Sequence, residues 1–131
     1  MRWDAMERIL VVDDNAASRD LLRAVLETPD RTVLEAANGR EAVERILEHA
    51  PDLVLLDIEL PFLDGFGVLR EIRSDPRFAR LPVLAVTANA MQGVREKVLD
   101  AGFDGYVVKP IRASAVRKQV TELLESVRRQ A

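Results

Sequence analysis

Three short apolar runs constrain this chain more than any other feature: residues 9–12 (ILVV), 53–56 (LVLL) and 83–86 (VLAV). Each is too short for a helix and lacks a polar interruption. A strand wetted on one side alternates apolar and polar residues, so unbroken runs predict strands covered on both faces, as in a parallel sheet between helices. Two weaker runs, 32–36 and 106–108, predict the outer strands of the same sheet.

Helical spacing fills the intervals. Leu21, Leu22, Val25 and Leu26 follow the first run, and Ala42, Val43, Ile46, Leu47 and Ala50 the second, with Glu41, Glu44 and Glu48 on an outward face. Val68, Leu69 and Ile72 follow the third, Met91, Val94, Val98 and Ala101 the fourth, and Val116, Val120, Leu123, Leu124 and Val127 the fifth. The punctuation agrees. Asn15 suits an N-cap, Asn38-Gly39 a turn into the second helix, and Gly102 a left-handed helix end. Pro51, Pro61, Pro82 and Pro110 all fall at element edges. Strand and helix thus alternate five times, which predicts an α/β domain, doubly wound, with helices on both faces of a parallel sheet.

A length of 131 residues suits one domain with one core, placed here at about 8–127, with 1–7 as an N-terminal extension. Met6 would also make a natural start, and Trp3 reads as a surface or interface residue. The first eight residues carry charges of both signs and no apolar core of a secretory signal, and no run could span a membrane. The expected location is cytoplasmic. The absence of cysteine excludes disulfides, thiolate metal sites and cysteine nucleophiles. With one histidine, His49, any metal site must be built largely from oxygen, which points to magnesium, calcium or manganese. A net charge of -3 argues against direct DNA binding. Arg117, Lys118, Arg128 and Arg129 read as cations of the last helix, two of them near its negative dipole end.

Polar residues gather where the strands end: Asp13 and Asp14 after the first, Asp57 after the third, Thr87 after the fourth, Lys109 after the fifth. Ligands of open α/β sheets bind outside the carboxyl ends of the strands. Taken singly, these are a helix cap, a turn opener, an ordinary threonine and a solvated lysine. Together they form one chemistry. Three neighbouring carboxylates repel one another, and a divalent cation, magnesium by preference, relieves the repulsion. Asp57 can then attack a phosphoryl donor as a carboxylate nucleophile. Lys109 supplies a fixed positive charge for a phosphoryl oxygen, Thr87 supplies a hydroxyl donor, and Ala88 leaves room for the group.

The segments ILVVDDN, DLVLLDIELPFLDG, LPVLAVTANA and YVVKPI resemble the response-regulator receiver family, also called CheY-like, over about residues 8–127. The resemblance implies a flavodoxin-like (βα)5 fold with strand order 2-1-3-4-5 and Asp57 as phosphoacceptor. It implies magnesium, with manganese as a substitute, held by Asp13, Asp14, Asp57 and the backbone carbonyl of Glu59, Asp14 being the more direct ligand of the acidic pair. Thr87 and Lys109 match the phosphoryl-binding pair, and the Lys109-Pro110 bond is expected to be cis. Thr87 would move toward the phosphoryl group and Tyr106 would turn inward behind it, switching the face of the fourth helix, fifth strand and fifth helix. Glu59 and Asn89 flank the phosphoryl group and are expected to tune its hydrolysis. The implied partners are a sensor histidine kinase or histidine phosphotransfer protein and a downstream protein target. The chain would act as a monomer or a phosphorylation-dependent dimer.

The sequence departs from the family in Thr28-Pro29-Asp30, which replaces a glycine turn, and in Leu60, where methionine is common. Three other readings compete. An aspartyl phosphohydrolase would carry aspartate two residues after its nucleophile, where this chain has Glu59, and would need a substrate-selecting cap. A flavin or nucleotide carrier would need a glycine-rich phosphate loop. A phosphate-independent adaptor is opposed by the complete acidic set with Thr87 and Lys109. A receiver fragment of a hybrid histidine kinase would look the same as a stand-alone one.

Overall fold

The computed structural model describes the backbone of residues 6–130 and the side chains of all of these except Arg128 and Gln130. Strands and helices alternate as β1 (Glu7–Val12), α1 (Ala16–Leu26), β2 (Arg31–Ala36), α2 (Gly39–His49), β3 (Leu53–Asp57), α3 (Gly65–Arg73), β4 (Val83–Thr87), α4 (Val94–Asp100), β5 (Gly105–Val108) and α5 (Ala113–Gln130). A single 3-10 turn, Pro76–Phe78, follows α3. All strand pairs are parallel and the order is β2-β1-β3-β4-β5.

The apolar runs lie where their composition demands. Every residue of β3 and β4 is buried. Because successive side chains point to opposite faces, Leu10, Val12, Val54 and Leu56 pack with Ile46 of α2, Leu69 of α3 and Val98 of α4. Ile9, Val11, Leu53 and Leu55 pack on the other face with Leu22 and Leu26 of α1 and Val116 and Val120 of α5. Each such fully buried aliphatic side chain contributes roughly 1.5–3 kcal/mol, so the sheet is a rigid platform whose edge can hold side chains in fixed places.

Local signals set the boundaries. The Asn15 side chain accepts from Ser18 N–H at 3.0 Å, capping α1. The Asn38 side chain accepts from Glu41 N–H at 2.9 Å, while the Glu41 carboxylate turns back onto Ala37 N–H at 3.0 Å. Glu41 is therefore tied back across the start of α2, to Ala37 N–H and the Asn38 side-chain amide, in a variant of the capping box, and is not part of the outward charged face. Gly102, with φ 108°, ends α4 in the left-handed region.

Several expectations are corrected. Glu7 belongs to β1, in register with Arg31, so the extension is shorter than 1–7; residues 1–5, with Trp3, lie outside the described residues. The last helix runs past 127 to Gln130. Met91 precedes α4 and is 72% exposed. Asn89 takes up Met91 N–H in a turn at 2.9 Å, and Gly93, with φ 95°, starts the helix without a side-chain cap. Leu21, Leu47 and Val127 are exposed flanks of their helices, as are Ala50 and Ala101 at helix ends. In place of the glycine turn, Thr28 and Arg31 pair their backbones across Pro29-Asp30 at 3.1 and 3.3 Å.

Candidate functional site

The carboxyl edge of the sheet collects the reactive groups because the strands end in step. Asp57 closes β3 opposite Val86, and Thr87 closes β4 opposite Val108. The ladders continue one residue past two strands: Asp13 N–H donates to Ala36 at 3.1 Å, and Lys109 N–H to Thr87 at 2.8 Å. Asp13, Asp57 and Thr87 are the buried polar residues of the described chain, and all three sit here. Their positions are further fixed from α1, where the Arg19 guanidinium donates to the Asp13 carbonyl at 2.8 Å.

Charge dominates this edge. Asp13, Asp14 and Asp57 each bring a carboxylate oxygen within 4.8 Å of the others. Lys109 Nζ lies 2.9 Å from Asp13 Oδ2 and 3.0 Å from Asp57 Oδ2. Burial raises the Asp57 carboxyl above its ordinary range, against the pull of Glu59 N–H and Lys109. Burial also pulls the Lys109 ammonium down, but the Asp13 and Asp57 carboxylates beside it outweigh this and its pKa ends raised. Three carboxylates thus face one ammonium.

The donor set fits a hard divalent cation. It is all oxygen. Asp13 Oδ2 is buried and, although Lys109 is near, receives no hydrogen bond of good geometry. A buried charged oxygen without a directed donor is costly unless something else satisfies it. Asp14, exposed, leaves the group open to solvent on one side.

Opposite the carboxylates is a second array. Thr87 Oγ1 donates to Glu59 Oε1 at 3.1 Å, and Ala88 N–H reaches the same oxygen at 3.3 Å. Glu59 N–H in turn donates to Asp57 Oδ1 at 2.8 Å. Asn89 N–H donates to Thr87 Oγ1 at 3.0 Å, and the Tyr106 hydroxyl donates to the Asn89 carbonyl at 2.9 Å. Tyr106, half-buried, is therefore tied to the β4–α4 loop. The Lys109-Pro110 peptide is cis. Surface depressions along α2 (Glu44, Arg45, Leu47, Glu48) and beside Pro51, Phe78 and Val127 lie away from this edge.

A model of the response regulator receiver domain matches residues 9–121. The chain belongs to this family. It is 37% identical over 103 residues to the polar-differentiation response regulator DivK of Brucella anthropi, an overlap of 79% of this chain and 84% of that protein. Its fold is similar to the receiver domain of a sensor histidine kinase from Pseudomonas aeruginosa, solved with magnesium coordinated in its active-site cleft: TM-score 0.83, 35% identity, 92% of this chain and 99% of the other. A CheY-like receiver domain protein from Methanospirillum hungatei superposes with TM-score 0.85 at 28% identity, covering 96% of this chain and 99% of that one. Receiver domains are signalling phosphoacceptors, with an acidic magnesium pocket, and work with histidine kinases or phosphotransfer proteins and with downstream targets.

Asp13, Asp14, Asp57, Thr87, Lys109, Glu59, Ala88 and Asn89 all stand at this one edge, with Tyr106 and Pro110 beside it. Two features escaped the sequence. One is the Glu59 carboxylate on Thr87 and Ala88. The other is the brace of Arg19, Arg23 and Glu35 behind Asp13, with contacts of 2.6–3.0 Å. Both join residues far apart in the chain, and local pattern carries no signal for such pairs.

Proposed function

We propose that this receiver domain takes its phosphoryl group on Asp57 and passes the signal through Thr87 and Tyr106. The observation that carries the reading is the placement of Asp57: a buried carboxylate, held by Glu59 N–H and Lys109, beside two other acids and across from the Thr87 and Ala88 donors. A carboxylate oxygen of Asp57 attacks phosphorus; the new O–P bond forms as the P–N bond of a phosphohistidine donor breaks, and the imidazole leaves with the electron pair. Lys109 stays beside the charge that the phosphoryl oxygens bring.

Asp13, Asp14, Asp57 and the Glu59 carbonyl would hold the magnesium ion, with manganese as a substitute. When bound it supplies positive charge that relieves the repulsion among the carboxylates and the phosphoryl group. Phosphorylation gives Thr87 a new acceptor, and Asn89 and Tyr106, hydrogen-bonded to it in series, respond. The α4–β5–α5 face changes its affinity for a protein target, by population shift. The donor is a sensor histidine kinase or a histidine phosphotransfer protein in the cytoplasm. The chain works as one domain, as a monomer or a phosphorylation-dependent dimer, through protein contacts and not DNA.

Borohydride reduction tests the assignment. An aspartyl phosphate is an acyl phosphate, and reduction converts the residue to homoserine. After incubation with phosphoramidate and magnesium, tandem mass spectrometry should find homoserine at position 57. Homoserine at Asp13 or Asp14 instead would move the nucleophile.

A further inference from the structure

Two hydrogen-bond donors at the end of β4 converge on one acceptor. The Thr87 hydroxyl and the Ala88 N–H both point to Glu59 Oε1, at 3.1 and 3.3 Å. A hydroxyl and a backbone N–H aimed at one point form a cradle for an anionic oxygen. The occupant is a carboxylate of the chain itself, two residues past Asp57, whose own N–H holds Asp57 Oδ1 at 2.8 Å. The cradle and the nucleophile are thus spanned by one short loop.

We infer that the Glu59 carboxylate is a built-in competitor for the phosphoryl-oxygen cradle, and that phosphorylation must displace it. This rests on the reading of Asp57 as phosphoacceptor. A phosphoryl oxygen on Asp57 that reaches Thr87 and Ala88 needs the same two donors that Glu59 uses. Each donor has one hydrogen, so shared service weakens both contacts. Two anions at one point also repel. Glu59 is exposed, so it can swing into water, where its charge is well solvated. The loaded and unloaded states therefore exchange one oxyanion for another on the same donors. In the unloaded state Glu59 also fixes the Thr87 hydroxyl, which accepts Asn89 N–H at 3.0 Å. The competitor therefore holds the first member of the Thr87–Asn89–Tyr106 series in its unloaded arrangement. Its effect is on the threshold for loading: a better donor or a higher donor concentration is needed than for a chain with a short neutral residue at 59.

The test uses the full chain, with Glu59→Ala and Glu59→Gln, and beryllofluoride as a tetrahedral phosphoryl mimic in saturating magnesium. Amide NMR follows both binding and the Ala88 N–H. In the free protein, Glu59→Ala should shift the Ala88 N–H resonance upfield, because it loses its acceptor. With beryllofluoride bound, the resonance should move to the same place in wild type and variant, because the anion now serves as acceptor in both. Affinity for the mimic should rise about tenfold in Glu59→Ala, the factor that ~1.4 kcal/mol represents. Glu59→Gln, which keeps an acceptor oxygen but no charge, should fall between. Equal or weaker affinity in Glu59→Ala, or an Ala88 N–H that does not move in the free variant, overturns the inference. If none of the three proteins takes up the mimic, the phosphoacceptor reading itself fails, a result distinct from uptake with equal affinity.

Discussion

Lys109→Ala should destabilise the metal-free protein, and the loss should shrink on acidification. Lys109 Nζ lies 2.9 and 3.0 Å from two carboxylates whose side chains are 1% and 6% exposed. Removing one partner of a buried ion pair typically costs about 3–5 kcal/mol, since the other charge is left uncompensated. Lys109 is itself 24% exposed, and water will enter the space it leaves, so about 2–3 kcal/mol is expected near pH 7. For a chain of 131 residues this lowers Tm by about 7–10 °C. The pH dependence has a definite sign. Asp57 already has its pKa raised by burial, and the Lys109 contact is among the influences that hold it down. Without Lys109 it rises further. A carboxyl whose folded-state pKa exceeds its unfolded one gains stability as pH falls from the folded value toward the unfolded one. Magnesium should also rescue the variant, by about 2.7 kcal/mol at a hundred times its Kd. Urea denaturation followed by circular dichroism, in EDTA and in magnesium, at pH 7 and pH 5, measures all three effects. A variant as stable as wild type in EDTA at pH 7, or one that loses more stability at pH 5, would refute the role of Lys109 as neutraliser of the acidic pair.

Two further outcomes follow from the frame around the site. Arg23, and then Arg19, hold the Glu35 carboxyl below the usual carboxylate range. Their contribution is present above the unfolded pKa of Glu35 and is lost as pH falls through the folded one, so Glu35→Gln should cost about 0.5–1 kcal/mol near neutrality, after solvent screening, and almost nothing near pH 3, by urea denaturation. At Gly39 an added Cβ would run into the Leu63 carbonyl of the β3–α3 loop. Gly39→Ala should therefore lower the urea midpoint by an amount worth about 1–3 kcal/mol and disturb the amide resonances of that loop.

The platform was legible in the sequence because burial on both faces leaves a simple mark. The runs 9–12, 53–56 and 83–86 became β1, β3 and β4, each lengthened by one or two polar end residues such as Glu7, Asp57 and Thr87. Asp57 and Thr87, at the carboxyl ends, are polar because they meet the site, not the core, and that is why the site was legible too, whereas Glu7 opens β1 at the far edge, in register with Arg31. Helix flanks were less so. Leu47 and Met91 fit an apolar spacing, yet both are exposed, since spacing does not reveal how wide a stripe the sheet covers or where a capping turn delays a helix. Glu41 read as a solvent-facing charge and Glu59 as a tuning one, and the backbone N–H groups that both accept were not foreseen. For Glu41 the capping-box spacing was available in the sequence. For Glu59 nothing local could show it, because its donors lie a strand away.

The central claim is that Asp57 accepts a phosphoryl group with the help of a divalent cation. Intact-mass spectrometry after incubation with acetyl phosphate, with and without magnesium, on wild type and Asp57→Asn, tests it most directly. The account predicts a magnesium-dependent gain of one phosphoryl group in wild type and none in Asp57→Asn. Equal incorporation into Asp57→Asn, or incorporation indifferent to magnesium, would contradict it.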